Sequence, residues 1–208
     1  MVGEGVLHEC LLHPAVGNVL IINRKSLGLS HPKLKEIIIK SFDDLSSIEG
    51  QISGYDACFF CLGMSSVGIS KDEYYRITYE LTLNFATTLS GINTEMTFCY
   101  ISGAGTDSSE SGRISWARVK GKTENALFRL PFKKVFAVRP GFLYPTHGLK
   151  NTKKFYYLIT WLYPAMRHIF PNFVSTLPEL GLAILNSVIK GYEKSILEVK
   201  DIVDLAKR

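Results

Sequence analysis

Polar residues and glycines directly follow the short apolar runs of this chain, and they are its best candidates for ligand binding. They are Asn23-Arg24, Gly63, Ser102-Gly103 and Pro140-Gly141. Short, nearly continuous apolar runs are typical of buried parallel strands. Ligands of open parallel sheets bind outside the carboxyl ends of the strands. We therefore expect these groups to lie near one binding site, and the net charge of +5 adds a mild preference for anionic partners.

Cys58 and Cys61 have the two-residue gap that is common in metal and redox sites. They fall in an apolar run, where strand alternation points the two thiols to opposite faces. No second cysteine pair or histidine cluster accompanies them, so core packing is favoured and we expect no metal site. Four irregularly spaced cysteines in 208 residues also favour reduced thiols over a disulfide framework, and hence a cytoplasmic location.

The composition and the order of patterns indicate a folded α/β protein. With 46% hydrophobic and 21% charged residues, disorder, coiled coil and collagen are excluded for the chain as a whole. Helical periodicity predicts helices over residues 3–12, 71–89 and 114–130. Apolar, β-branched runs predict strands over residues 19–22, 36–39, 57–62, 96–101 and 134–138.

Alternating helices and buried strands predict a doubly wound, mostly parallel sheet with helices on both faces. We expect a single domain over residues 1–208. Within it, residues 146–208 show longer helical patterns and few strand signals, which indicates a small helical lobe on the substrate side. The apolar stripe over residues 177–189 suits either the core or an interface between subunits.

Five segments resemble the NAD(P)-binding short-chain dehydrogenase/reductases, in their atypical, epimerase-like branch. They are residues 1–7, Arg24 after a strand, residues 102–105, residues 120–124 and residues 139–142. Each segment alone is a weak signal, but their order and spacing together are specific and cover nearly the whole chain. The resemblance implies a Rossmann-type fold that binds a nicotinamide dinucleotide.

The resemblance also implies roles for individual residues. Ser102 falls on the family's serine, which orients the substrate oxygen, and Lys120 on the lysine that holds the ribose. Arg24 suits the 2′-phosphate of NADP, with NAD less favoured, because NAD sites usually carry an acid there. The implied cofactor-binding residues are Gly3, Arg24, Asp43, Gly63, Lys120, Pro140 and Gly141. Simpler alternatives remain open, among them a solvated loop for Arg24 and a helix cap for Asp43.

The first departure from the family concerns the cofactor turn, normally a strand followed by three glycines. Only the last glycine, Gly3, is present, and the strand would lie before Met1. Without that strand, its neighbours keep unpaired backbone groups, each costing about 1–3 kcal/mol when buried. We expect either a natural product that begins earlier, with Met1 internal, or a truncated chain.

The second departure is Trp116, which stands four residues before Lys120 and 14 after Ser102, where the family has its catalytic tyrosine. An indole N–H donates a hydrogen bond but exchanges no proton near neutral pH. Tyr79, Tyr100 and Tyr144 are alternative phenols, although packing is favoured for each.

Two hypotheses about function follow. The first is an NADP-dependent oxidoreductase of the epimerase/dehydratase type, acting on a small carbonyl or alcohol. The second is a non-catalytic sensor or scaffold protein that binds the dinucleotide without turnover, which Trp116 favours. A truncated chain with neither binding nor activity is a third outcome. No motif indicates the substrate.

The segment from Arg118 to Lys154 contains ten basic residues and one acid, Glu124. It could contact a dinucleotide or an acidic or phosphorylated protein partner, and a solvated surface is the simpler alternative. Nucleic acid is not expected, because no aromatic residues are interleaved for base stacking. A transmembrane segment is not expected either, because the most apolar stretch, residues 155–166, is too short to span a bilayer.

Overall fold

The computed structural model describes residues 1–146 and 163–208, in which helices and parallel strands alternate. The helices are α1 (Val2–Leu12), α2 (Glu49–Ile52), α3 (Lys71–Tyr75), α4 (Leu81–Ile92), α5 (Ser115–Leu127), α6 (Tyr163–Ile169), α7 (Leu177–Ile189) and α8 (Val199–Leu205). The strands are β1 (Val19–Asn23), β2 (Leu34–Ile38), β3 (Ala57–Phe60), β4 (Thr97–Ile101), β5 (Lys134–Val138), β6 (Phe142–Tyr144), β7 (Val174–Thr176) and β8 (Ile196–Leu197). A π-helical turn, Arg76–Glu80, joins α3 to α4.

The strand pairing confirms the predicted α/β fold with parallel strands. The strands β3, β4, β5 and β8 form one sheet in that order, and β1 pairs with β2. In the middle of the larger sheet, Thr97 of β4 lies opposite Ala57 on one side and Lys134 on the other. A further parallel pair joins β6 to β7. Every strand pair in the described ranges is parallel.

Two apolar cores cover the two faces of the larger sheet. The first core includes buried residues of α1, α7 and α8, and the second includes buried residues of α4 and α5. Side chains along β4 alternate between them: Cys99 packs in the first core, while Phe98 and Tyr100 pack in the second. This alternation explains why β4 is apolar at each of these positions.

Helix α1 packs directly on α7, so the first and last thirds of the chain are in contact. The two helices approach closely at two glycines. A Cβ added at Gly5 would lie 2.2 Å from Leu177, and one at Gly181 would lie 2.5 Å from the side chain of Glu9. Larger residues at these positions would separate the helices.

The strands β1 and β3 are not paired with each other, and a cavity of about 2080 Å³ lies between them. Every residue of both strands lines this cavity, which we call the slot. Met1 and Arg24 also line it. The sheet that the sequence predicted as one layer is therefore divided into two parts at the slot.

The C-terminal region contains strands that the sequence pattern did not predict. β7 and β8 have three and two residues, too few to show an alternation of apolar residues. β8 pairs with β5 in the larger sheet. Residues 147–162, which include most of the apolar stretch at 155–166, lie outside the described residues. No helix in the described ranges is long and apolar enough to cross a bilayer.

Candidate functional site

Ser102 directly follows β4, and Lys120 of α5 reaches the carboxyl end of the same strand. The strand ends at Ile101, whose carbonyl oxygen accepts a hydrogen bond of 3.4 Å from Lys120 Nζ. The same ammonium lies 5.3 Å from the centroid of the Tyr100 ring. Lys120 is therefore held beside the strand residue that precedes Ser102.

A hydrogen-bond chain orients the Ser102 hydroxyl. Thr106 Oγ1 donates to the carbonyl oxygen of Gly103 at 2.8 Å, and Ser102 Oγ lies 3.0 Å from Thr106 Oγ1. Because the Thr106 proton is committed to Gly103, the Ser102 hydroxyl donates to Thr106. A lone pair of Ser102 Oγ then remains for a donor group on a ligand. The sequence did not indicate the role of Thr106.

The partly buried position of Lys120 changes its acid–base behaviour. Burial lowers the pKa of the Lys120 ammonium to about 8, and the negative charge of Glu124 opposes this shift. The amine therefore becomes neutral at a lower pH than an exposed lysine does.

The loop after β4 is fixed to α5 at Gly121. A Cβ at Gly121 would lie 1.8 Å from the Asp107 carbonyl oxygen, so only glycine fits there. The Asp107 amide donates to the Ala117 carbonyl at 3.1 Å, and its carboxylate accepts from the Gly112 amide at 2.7 Å. Side-chain hydrogen bonds from Ser109, together with that from Gly112, lower the pKa of Asp107. The loop thus holds Ser102 and Thr106 in a fixed position relative to Lys120.

Trp116 lies in the first turn of α5, and its ring is close to Gly105 in the same loop. Of the alternative phenols, Tyr100 is buried in the second core, where its hydroxyl is bonded to Thr123 and burial raises its pKa. Tyr79 stacks under Lys122, and Tyr144 contacts Tyr163. Each of these three rings therefore has a packing role, and Tyr100 is not positioned as a replacement acid.

Four of the other predicted cofactor-binding residues lie at strand ends, in different environments. Arg24 is exposed directly after β1 and makes no hydrogen bond or ion pair within the described part of the chain. Gly63 is exposed after β3, and an added Cβ would meet nothing within 4 Å. The Pro140 carbonyl accepts from the Ala104 amide, and a Cβ at Gly141 would lie 2.1 Å from the Phe173 carbonyl oxygen. Packing alone explains the glycine at position 141, whereas Arg24 and Gly63 remain available to a ligand.

The remaining two predicted residues, Gly3 and Asp43, also have local contacts. Gly3 lies in α1, where an added Cβ would be 3.3 Å from Cys61 Cβ. Asp43 accepts a hydrogen bond of 2.5 Å from Ser41, and its carbonyl accepts from Asn84 of α4 at 2.7 Å. The neighbouring Asp44 accepts a hydrogen bond from the Ser46 amide at the start of the following turn.

A buried ion pair supports the site and was not predicted. The Arg139 guanidinium donates to both carboxylate oxygens of Glu124 and also to Ser108 Oγ in the loop. Both residues belong to segments that resemble the family. A single sequence does not show, however, that Arg139 after β5 and Glu124 in α5 contact each other.

The cysteines behave as core residues. Cys58 packs against the second core and Cys61 against the first, on opposite faces as predicted. Burial raises the pKa of both Cys10 and Cys61 to about 12. Within residues 1–146 and 163–208, no three histidine, cysteine or acidic residues are grouped as metal ligands.

The basic segment is not one continuous surface in the part that the structure describes. Lys120 is partly buried, Arg139 is buried against Glu124, and Lys122 lies over the rings of Tyr75 and Tyr79. Lys150, Lys153 and Lys154 lie outside the described residues.

No family model matches the sequence. The chain is 26% identical over 150 residues to "Protein fmp52-1, mitochondrial" of Aspergillus oryzae, in a match that covers 69% of this chain. The chain spans 62% of the length of that relative.

Several solved structures share the fold. The glucuronic acid dehydrogenase of Chromohalobacter salexigens has a TM-score of 0.64 and 11% identity, over 94% of this chain and 72% of that chain. The Bordetella bronchiseptica enzyme WbmG, solved in complex with NAD, has a TM-score of 0.65 and 13% identity, over 99% and 74%. UDP-glucose 4-epimerase of Thermotoga maritima has a TM-score of 0.66 and 12% identity, over 100% and 78%.

These similarities agree with the motif order in the sequence and with the parallel pairing of the strands. The chain shares the Rossmann-type fold of these solved structures.

Proposed function

We propose that the chain binds a nicotinamide dinucleotide, NADP in preference to NAD, and acts as an epimerase/dehydratase-type oxidoreductase on a small carbonyl or alcohol. The observation that carries this proposal is the placement of Lys120 beside Ser102 at the carboxyl end of β4. Structures of the same fold include one solved in complex with NAD. Carboxyl ends of parallel strands are the usual ligand site of such sheets.

The residues present fit the two ends of a dinucleotide. At the nicotinamide end, Lys120 would donate to the ribose hydroxyls, and the open space at Gly63 would admit the cofactor against the backbone. At the adenosine end, Arg24 is exposed and has no partner in the described ranges, so its guanidinium is available to a 2′-phosphate. Asp43 is the weakest member of the set, because its contacts with Ser41 and Asn84 serve the loop.

A bound nicotinamide would supply hydride transfer, while the protein would bind and orient the substrate. Ser102 Oγ would accept a hydrogen bond from a hydroxyl group of the substrate, because its own proton is donated to Thr106. Trp116 would present a flat ring at the position where the family has a phenol. The proton required by the substrate oxygen would then come from water, because Tyr100 is buried and bonded to Thr123.

A fluorescence titration tests binding at this site. The chain has two tryptophans, so Trp161→Phe leaves Trp116 as the sole reporter beside Lys120. We expect NADPH to quench this fluorescence more tightly than NADH, Arg24→Ala to remove the preference, and Lys120→Met to weaken both cofactors at least tenfold. Lys122→Met, two residues along the same helix, is the matched control. Absence of binding by either cofactor would refute the proposal.

Trp116 favours a second candidate, a sensor or scaffold protein that binds the dinucleotide without turnover. The two candidates differ in turnover with a panel of small carbonyls in the presence of NADPH. Turnover by the unaltered chain that Ser102→Ala abolishes supports the enzyme. Binding without turnover, followed by a gain of reductase activity in Trp116→Tyr, supports the sensor.

Cytoplasmic location is part of the proposal and rests on the free thiols at Cys10, Cys58, Cys61 and Cys99. The name of the Aspergillus oryzae relative includes the word mitochondrial. Fractionation of cells that express the full-length native protein distinguishes the two locations.

A further inference from the structure

We propose that the substrate is an uncharged, apolar alcohol, and that Thr106 makes the site select this alcohol over the corresponding carbonyl compound. The inference deepens the proposed function and rests on it, because it takes Ser102 as the residue that meets the substrate oxygen. Two sets of observations carry it. They are the direction of the hydrogen bonds at Ser102, and the apolar and charged side chains near the carboxyl ends of β3 and β4.

The backbone fixes the position of Ser102. Its amide donates to the Val138 carbonyl of β5 at 2.7 Å, and only 7% of the residue is exposed. Within the described residues, the one hydrogen-bond partner of its hydroxyl is Thr106 Oγ1, at 3.0 Å. What Ser102 offers to a substrate therefore depends on which of these two hydroxyls donates to the other.

Only one arrangement of these hydroxyls uses both protons. When Thr106 donates to the Gly103 carbonyl at 2.8 Å, Ser102 donates to Thr106, and both protons are bonded. If Thr106 donated to Ser102 instead, the buried Ser102 proton would have no acceptor within the described residues. An unbonded buried donor costs more than a hydrogen bond gains. The first arrangement is therefore the stable one, and Ser102 Oγ presents a lone pair to the site rather than a proton.

A hydrogen-bond acceptor at this position distinguishes the two oxidation states of a substrate. An alcohol has an O–H group that donates to Ser102 Oγ, whereas a carbonyl oxygen only accepts. To receive a proton from Ser102, a carbonyl compound would have to break the bond between Ser102 and Thr106. The site therefore favours the alcohol. Its oxidation would transfer a hydride from carbon to an oxidised nicotinamide dinucleotide, release the hydroxyl proton to water and leave a carbonyl product.

Exposed apolar side chains border this edge of the sheet. Phe60 at the end of β3 lies opposite Tyr100 of β4, so the segments that follow the two strands leave the sheet side by side. Val67, in the segment after β3, is 85% exposed. Ile114, directly before α5, is 57% exposed, and α5 begins at this edge because it connects the carboxyl end of β4 to the start of β5. Covering these side chains with the carbon skeleton of an apolar ligand is favourable.

The charged side chains near this edge disfavour an anionic substrate. Arg139 is paired with Glu124, and Arg167 donates to both carboxylate oxygens of Glu179, at 3.1 and 2.7 Å. They are the two arginines that lie between β5 and α7. Guanidinium groups bind phosphates well, but each of these two is already neutralised. The described part of the chain therefore favours an uncharged substrate over a nucleotide sugar.

The first test compares cyclohexanol with cyclohexanone, which differ in the oxidation state of one carbon. Binding is followed through the NMR chemical shift of the Ser102 amide. It is measured in the chain alone and in the unreactive pairs of alcohol with NADPH and of ketone with oxidised NADP. We expect the unaltered chain to bind the alcohol about threefold to tenfold more tightly. Thr106→Val, which removes the hydroxyl but keeps the branched shape, should abolish or reverse this preference, and Thr106→Ser should keep it.

Slow hydrogen exchange of the Ser102 amide, which is bonded to Val138, shows that a variant keeps its fold. Equal or tighter binding of the ketone by the unaltered chain would overturn the proposal, as would binding of neither compound. An unchanged preference in folded Thr106→Val would overturn the role of Thr106. The chain alone gives the ratio of affinities whether or not a dinucleotide binds, so a failure of the proposed function is distinguished from a failure of this inference.

The second test concerns the apolar side chains. Val67→Asp should weaken cyclohexanol binding at least threefold, because the ligand would desolvate a charge. Leu12→Asp is the matched control and should leave binding unchanged. Leu12 is 66% exposed and ends α1, on the side that leads to the start of β1. UDP-glucose should not displace cyclohexanol. Displacement by UDP-glucose would overturn the assignment to an apolar alcohol and would support a nucleotide sugar.

Discussion

The Arg139 guanidinium is bonded to both carboxylate oxygens of Glu124, and the Glu124 side chain is completely buried. Arg139 also donates to Ser108 Oγ at 2.5 Å and to Glu198 Oε1 at 3.1 Å. One side chain thus connects α5, the loop after β4 and the start of α8. The pair lies one helical turn from Lys120, so it supports the element that carries the candidate site.

Removing one partner of this pair leaves the other charge buried. We expect Glu124→Ala to lower the free energy of unfolding by about 3–5 kcal/mol, because Arg139 then has no full countercharge. Urea denaturation measures the change. Glu95→Ala, at an exposed position, should change it by less than about 0.5 kcal/mol. Equal effects of the two substitutions would contradict the structural role of the pair.

The close approach of α5 and the loop after β4 makes Gly121 irreplaceable. An alanine Cβ there would lie 1.8 Å from the Asp107 carbonyl oxygen, so the loop must move. We expect Gly121→Ala to cost about 3 kcal/mol and to increase tryptic cleavage at Arg113. Gly91→Ala is the matched control, because that glycine lies in α4 with nothing within 4 Å of an added Cβ. It should stabilise the helix by about 0.5–1 kcal/mol.

Lys120 should give the protein a distinctive dependence on alkaline pH. Its folded-state pKa of about 8 is below the ordinary value of 10.5. Below pH 8 Lys120 is protonated in both the folded and the unfolded protein, and the folded protein bears the full cost of burying its charge. Between pH 8 and 10.5 the unfolded state holds more protons, so stability rises with pH.

Comparing unfolding free energies at pH 7 and pH 10.5 tests this dependence. Relative to Lys120→Met, the unaltered chain should gain about 1–3 kcal/mol over this interval. Lys122 is the internal contrast, because its hydrogen bond to Tyr75 raises its pKa. Its contribution is present below the unfolded pKa and is lost as the pH rises through the folded value. A flat difference between the unaltered chain and Lys120→Met would show that Lys120 titrates as an exposed lysine.

Asp201 should contribute to acid sensitivity. Burial acts to raise its pKa, but hydrogen bonds from Lys194, Tyr192 and the Glu198 amide outweigh this and lower the pKa below 3.8. The stabilisation is therefore complete above the unfolded pKa and is lost as the pH falls through the folded value. We expect Asp201→Asn to reduce the difference in unfolding free energy between pH 6 and pH 2.5. Asp204→Asn, on the exposed side of the same helix, should leave that difference unchanged.

The strands that bury both faces were the easiest elements to predict. β5 was predicted with its observed limits. A charged residue directly precedes Lys134, and a charged residue and a proline directly follow Val138, so both ends of the strand are marked in the sequence. β7 and β8 escaped prediction because two or three residues carry no periodicity. The π-helical turn within the predicted helix at 71–89 also could not be predicted, because it does not change the spacing of the apolar residues in a recognisable way.

The candidate site was predictable only in part. The resemblance predicted roles for Ser102 and Lys120, because both belong to segments with a known arrangement in that family. The contact of Thr106 with Ser102, the Glu124–Arg139 pair and the reason for Gly121 all depend on how separate elements pack. Such pairings are set by tertiary distances, which a single sequence does not contain.

The packing of α1 on α7 has a consequence for synthesis of the chain on the ribosome. The buried face of α1 includes Val6, Leu7 and Cys10, and its partner surface begins at Leu177. The ribosome makes α1 first and α7 near the end, so this face has no place to dock during most of translation. The nascent chain must therefore carry an exposed apolar helix until its last helices emerge, which makes α1 a natural target for chaperones that act during translation.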